Sequence, residues 1–239
     1  MEIFCNIAGL NIKMDTFGRT LEQAGPYMIT PPVEQPHIVV KGNGRALHAL
    51  QPNLSEEECE YLTTGESFYR QLLEFDGMLL HASAVVMDGY AYLFSAPCGT
   101  GKSTHTALWQ QVFGTDRAII LNDDKPALRW DGKRFLAFGT PWSGKSRLNE
   151  NLCVPVAGVC MLRRGETNQI EPFGGVSAIR ALLEQTVRPR DPAALSVLLN
   201  LMDKLLTHVK VWQMACNMDP DAARVSHAAM SAAIHMETS

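Results

Sequence analysis

The chain has 239 residues, 46% of them hydrophobic and 19% charged, and a formal net charge of −4. That describes an ordinary globular protein able to bury a substantial core, as one large domain or as a small unit beside a main one. The acidic balance argues against a nucleic-acid binder held by phosphate-backbone contacts, and no apolar run approaches the length of a membrane span.

The six cysteines (Cys5, Cys59, Cys98, Cys153, Cys160, Cys216) are scattered, with neither zinc spacing nor a dense disulfide framework. Reduced thiols fit a cytoplasmic location. The N-terminus shows no basic region followed by an apolar stretch, which agrees with that expectation.

Residues 1–76 read as a β-rich N-terminal part with a helical connector, and residues 77–239 as the main domain with C-terminal helices. The run Ile3 to Met14 alternates partially, and His37 to Val40 reads as a second short strand. Gly25-Pro26 and Pro31-Pro32 break the chain between them. Ser55-Glu56-Glu57-Glu58 is a capping box opening a short helix. That helix is expected to stop near Thr64-Gly65, and another to run from Ser67 to about Phe75.

Met78 to Met87 reads as one strand, and Asp88-Gly89 as a hairpin turn into the strand Tyr90 to Ser95. A glycine loop follows, Ala96-Pro97-Cys98-Gly99-Thr100-Gly101-Lys102-Ser103-Thr104, and then a helix to about Val112. Strand, glycine loop and helix in this order form the context of a Walker-type P-loop. In such a loop Pro97 to Thr104 turn N–H groups toward phosphates. Lys102 reaches the β- and γ-phosphates, and the Ser103 hydroxyl ligates Mg²⁺. Alanine stands at residue 96 where the motif carries its first glycine.

Arg117 to Leu121 is a buried-strand run that delivers Asn122-Asp123-Asp124-Lys125 at its end. Such a pair of carboxylates can divide proton acceptance from metal binding. His81, at the start of a strand, is a candidate to orient a carboxylate or meet a metal. Ala127 to Trp130 and Arg134 to Phe138 pair across Asp131-Gly132-Lys133. The polar loop Gly139 to Asn149 then offers Lys145 and Arg147 to phosphate or carboxylate groups. Val156 to Leu162 is a further strand. Helices are expected over Ala178–Val187, Ala193–Leu206 and Asp221 to about Ile234, with a strand from Val209 to Met214.

A histidine at a strand start, a hairpin, a P-loop and a paired-Asp strand end together resemble bacterial HPr serine kinase/phosphorylase, a relative of ATP-dependent phosphoenolpyruvate carboxykinase. Gly-Thr-Gly-Lys-Ser-Thr-His-Thr (99–106), Asn-Asp-Asp-Lys-Pro (122–126) and Gly-Thr-Pro-Trp-Ser-Gly-Lys (139–145) bring the chain nearest to the HPr-kinase-like proteins. The resemblance implies an α/β P-loop domain with a mixed, partly antiparallel sheet. It implies ATP and Mg²⁺ as cofactors, with Lys102 and Ser103 as phosphate and metal contacts. Asp123 becomes the proton-accepting base, Asp124 lies near the metal, and His81 assists the base.

Two positions depart from those kinases. They follow the lysine with Ser-Glu, where this chain has Ser103-Thr104, and the segment that engages their carrier protein has no counterpart here. The expected activity is phosphoryl transfer to a serine-like hydroxyl on a peptide, protein or small molecule, with a homo-oligomer as a further expectation. A non-catalytic nucleotide-binding accessory protein and a carboxykinase-like lyase are the alternatives.

Overall fold

The computed structural model describes residues 1–237, and side chains to residue 232. The alternating run near the N-terminus folds as a hairpin rather than as one strand. β1 (Glu2–Ile7) and β2 (Leu10–Asp15) pair antiparallel across Ala8 and Gly9, which take φ of 54° and 73°. β3 (Ile38–Lys41) joins β2 in parallel to complete a three-stranded sheet. Two short helices, α1 (Gly18–Ala24) and α2 (Gly44–Leu50), occupy stretches with no clear helical period.

The Ser55 capping box forms as expected, and it opens one continuous helix, α3 (Glu56–Leu72), not two. The expected break fails for two physical reasons. The Thr63 and Thr64 hydroxyls each donate to a carbonyl one turn back, at 2.8 Å, and so stay within the helix. Gly65 is a packing glycine: a Cβ there would lie 3.1 Å from the Trp142 ring.

Met78 to Met87 is likewise two strands. β4 (Gly77–Leu79) pairs with β8 (Ala127–Trp130), while β5 (Ala82–Met87) pairs with β6 (Tyr90–Ser95) and β7 (Ile119–Asn122). The chain changes partners at Leu80-His81. There His81 N donates to Gln185 O at 2.7 Å, and Ala82 N to Asp124 O at 3.1 Å. Between β6 and β7 lies α4 (Lys102–Phe113).

β8 and β9 (Phe135–Phe138) form the expected hairpin. The 12-residue β10 (Cys153–Arg164) pairs antiparallel with β9 at its start, then parallel with β6 and with β12 (Val211–Cys216). β11 (Gln169–Pro172), which has no strand signature in the sequence, pairs antiparallel with β12. α5 (Gly175–Glu184), α6 (Pro192–His208) and α7 (Asp221–Glu237) fall close to their expected places. The result is a mixed α/β protein whose nine-stranded sheet is itself mixed, as the sequence led us to expect.

Period-2 alternation covers this sheet on both faces. Ala82, Ala84, Ala91 and Leu93 face the core built with α5 and α6 (Leu182, Leu198, Leu205). Val85, Met87, Tyr92 and Phe94 face the core built with α4 and α7 (Trp109, Ala222, Met230). A third core joins the N-terminal sheet and α3 to Leu79, Ala127, Phe138 and Trp142, so it crosses the boundary drawn at 76/77.

Candidate functional site

β6 ends where Ser95 Oγ donates to the His81 carbonyl at 2.8 Å, and the chain then turns through residues 96–101. Gly99 and Gly101 take φ of 77° and 115°, a region that side chains resist. Ala96 is buried and does not take positive φ, so its methyl is tolerated where the motif carries glycine. Gly101 caps α4 with no side-chain hydrogen bond, and no acidic residue stands in the first turn. The N–H groups there remain available to an anion, on the positive end of the helix dipole.

Lys102 opens α4 and is buried at 8% exposure, its Nζ donating to the Ala96 carbonyl at 3.0 Å. Burial pulls this ammonium below its usual range, while the nearby Asp124 and Asp123 charges pull the other way. Pro97, Cys98 and Gly99 are exposed on the loop, Thr100 is half-buried, and Ser103 and Thr104 are exposed on the first turn of α4.

Asp123 and Asp124 follow β7 directly, and their surroundings differ. Ser83 Oγ donates to Asp123 Oδ1 at 2.6 Å and also meets Thr106 Oγ1 at 2.8 Å. Hydroxyls thus tie the acidic strand end to the second turn of α4. Asp123 Oδ2 has no hydrogen-bond partner within the described residues. Asp124 is enclosed instead: His81 Nε2 meets Oδ1 at 3.1 Å, and both Tyr61 Oη (3.2 Å) and Lys125 Nζ donate to Oδ2. Burial alone would raise this carboxyl. The His81 hydrogen bond and the Lys125 ammonium outweigh it and hold Asp124 well below the usual carboxylate range.

The histidine assigned to assist Asp123 stands against Asp124, and its Nδ1 meets Gln185 Oε1 at 3.1 Å. The cause is the partner change at Leu80-His81, which turns His81 toward the end of β7.

A cleft of about 620 Å³ gathers His81, Cys98, Gly99, Gly101, Lys102, Ser103, Thr104, Asp123, Asp124 and Lys145. Arg147 lies outside it. Its guanidinium donates to Glu22 Oε2 at 2.6 Å, so the expected Lys145–Arg147 pair is divided. Trp142, within that polar loop, is fully buried, stacked on Phe68 at 4.9 Å, with its N–H donating to Thr64. It anchors the loop.

Tyr61, Ser83, Lys125 and Arg19 were missed by sequence reasoning. Ser83 carried a signal, being a polar residue within a fully apolar strand. Lys125 was part of the Asn-Asp-Asp-Lys-Pro run. Tyr61 and Arg19 carried none, because only the packing of α3 and α1 brings them to the cleft.

A cavity of about 450 Å³ adjoins the other side of the same loop, lined by Thr100, Leu108, Arg164 and Met218 among others. Arg164 Nη2 donates to the Gly99 carbonyl at 2.7 Å. Another cavity, about 710 Å³, lies between Phe173, Leu206 and Trp212 and holds none of the residues just described. Chemistry, not size, selects the site. Among the described residues no group of three or more His, Cys, Asp and Glu side chains could cage a metal. Among the described residues no helix is long and apolar enough to cross a membrane.

Fold and cleft together define a mixed α/β protein with a glycine loop, a buried lysine and an acidic strand end on one cavity. The chain belongs to the family described as SynChlorMet cassette protein ScmC, which matches residues 56–225. Among solved structures it is similar to one described as the Hpr(Ser) kinase/phosphatase from Coxiella burnetii. The two share 11% identity and a TM-score of 0.38, over 66% of this chain and 98% of that one. No curated protein matches the sequence.

Proposed function

We propose that the protein is an ATP- and Mg²⁺-dependent kinase that transfers the γ-phosphoryl group to a hydroxyl acceptor. The observation that carries this reading is the meeting of Lys102 with Asp123 in one cleft, braced by the Thr106–Ser83–Asp123 hydroxyl relay. A desolvated ammonium behind uncapped helix N–H groups is a site for a polyanion. An acidic strand end facing it supplies what a phosphoryl transfer needs and simple nucleotide binding does not.

In this reading residues 97–104 hold the triphosphate, and the cavity beside Leu108 and Met218 has room for the nucleoside. The acceptor oxygen attacks the γ-phosphorus and its bond to ADP breaks. The hydroxyl proton passes to Asp123 Oδ2. Lys102 neutralises charge on the phosphoryl oxygens, and Asp124, held ionised by His81 and Lys125, fixes the field beside it.

The Ser103 hydroxyl is a hard oxygen donor of the kind Mg²⁺ accepts alongside phosphate oxygens. Asp124 fits direct metal ligation less well, since both its oxygens already accept hydrogen bonds. When bound with the nucleotide, Mg²⁺ supplies charge neutralisation of the phosphate oxygens.

The experiment is a γ-phosphate transfer assay against serine peptides and hydroxylated metabolites, read by mass spectrometry. A mass gain of one phosphoryl group on an acceptor, lost in Asp123→Asn, is the expected result. Transfer that survives unchanged in Asp123→Asn removes the proposed base.

A further inference from the structure

Two cations on the cleft take no part in the chemistry above. Arg19 of α1 lays its guanidinium over the Tyr61 ring, 3.8 Å from the centroid, and its Nε is buried with no hydrogen-bond partner. Lys145 stands exposed on the same cleft. Neither forms an ion pair among the described residues, whereas Lys125 and Arg147 beside them do. Glu58 lines the same cleft and feels the charge of both cations, but it makes no ion pair with either, and its Oε2 accepts from the Ser55 backbone and hydroxyl in the α3 capping box.

The position of Arg19 is built in. Gly18 before it takes φ of 53°, and a Cβ there would lie 2.6 Å from Glu57 Oε1, so α1 starts hard against α3. The other face of that attachment is closed by Glu60, which accepts from Thr16 and from Thr20. Tyr61 then carries the stack inward, with its hydroxyl on Asp124. A partly desolvated guanidinium with unspent donors, sharing the cleft with an exposed ammonium, is a receptor for a planar anion. Its part of the cleft lining comes from α1, α3 and the 139–149 loop.

We propose that Arg19 and Lys145 form a carboxylate subsite for the acceptor, so that the phosphorylated hydroxyl belongs to a molecule carrying a carboxylate close to it. This rests on the phosphoryl-transfer reading and narrows it: neutral alcohols and neutral serine peptides are poor acceptors. Two sources offer that chemistry, a free hydroxy acid and a serine flanked by acidic residues in a peptide. Arg19 and Lys145 act as positioning residues, orienting the hydroxyl toward Asp123.

The test uses the full chain and isothermal titration in two stages. Mg²⁺ with a non-hydrolysable ATP analogue is titrated first; failure of that step alone counts against the nucleotide reading, and the second stage is then run on nucleotide-free protein. In the second stage L-malate, acetyl-Asp-Ser-Asp-amide and the neutral control acetyl-Asn-Ser-Asn-amide are titrated in turn. We expect at least one acidic probe to bind about tenfold tighter than the control. Malate alone identifies a small hydroxy acid; the acidic peptide alone identifies a peptide acceptor.

Arg19→Gln and Lys145→Gln should each lose that preference while holding the nucleotide within about twofold. Arg19→Lys should recover part of it, which separates charge recognition from lost stacking on Tyr61. A thermal melt confirms that each variant is folded. Equal binding of acidic and neutral probes overturns the proposal. So does a loss of nucleotide affinity in the two glutamine variants, which would assign the cations to the triphosphate.

Discussion

His81 Nε2 lies 3.1 Å from Asp124 Oδ1, while Asp123, the next residue back, accepts from Ser83 instead. Adjacent carboxylates on one strand end thus have separate partners and separate capacities. Asp124 is charge-locked by donors on both oxygens; Asp123 keeps one oxygen open toward the cleft.

The first prediction follows from that separation. Asp123→Asn preserves shape but cannot accept a proton, so turnover should fall by ~10²–10⁴-fold with little change in Mg·ATP affinity. Asp124→Asn should behave differently. It leaves Lys125 half-buried without its counter-charge, at ~1–3 kcal/mol of stability. Single-turnover transfer and urea unfolding of both variants separate the two effects. Reversal of the pattern would give Asp124 the chemical role.

Gly144→Ala probes the same carboxylate from the other side. Gly144 takes φ of 73°, and a Cβ there would come within 2.9 Å of Asp124 Cβ. Its N–H also donates to Tyr61 Oη at 2.8 Å. The substitution should push Asp124 off His81 and lower transfer strongly while leaving the fold intact by circular dichroism. Full activity in Gly144→Ala would show that the Asp124 position is not critical.

Trp142 and Gly65 show why parts of the fold were hidden in the sequence. A glycine after two threonines resembles a helix stop, and only the Trp142 ring, far along the chain, explains why α3 continues. Likewise nothing in Met78 to Met87 marks a change of sheet partner, because both halves are apolar and β-compatible. The hairpin at Asp88-Gly89, the capping box at Ser55 and the loop of Gly99 and Gly101 were legible because each rests on local chemistry. Arg19 and Tyr61 were not, since tertiary packing alone carries them to the cleft. The Trp142 reading is itself testable: Trp142→Ala should cost ~3–5 kcal/mol in chemical unfolding, and a loss below ~1 kcal/mol would deny it an anchoring role.

His105 links α4 to α7, its Nε2 meeting Ser226 Oγ at 3.0 Å, with Nδ1 buried and unpartnered. Burial pulls its imidazole down to about 4. The unfolded value is ~6.5, so between those limits the unfolded chain binds more protons. Stability is therefore full above about 6.5 and falls as pH drops toward about 4. His105→Gln should flatten unfolding free energy across that window. An unchanged slope would place the pH dependence elsewhere.

Cys98 is exposed on the loop that we assign to the triphosphate. Alkylation of the free protein should be rapid, and Mg·ATP should slow it several-fold. Equal rates would mean that the Cys98 side chain faces away from bound nucleotide.

Whether residues 97–104 hold a nucleoside triphosphate is decided by isothermal titration of Mg·ATP into the wild type and Lys102→Ala. Saturable binding by the wild type and a loss of at least about tenfold in the variant are expected, since a charge-assisted contact to phosphate contributes ~1.5–3 kcal/mol. Equal affinity in the two proteins, or no binding by the wild type, would contradict that assignment.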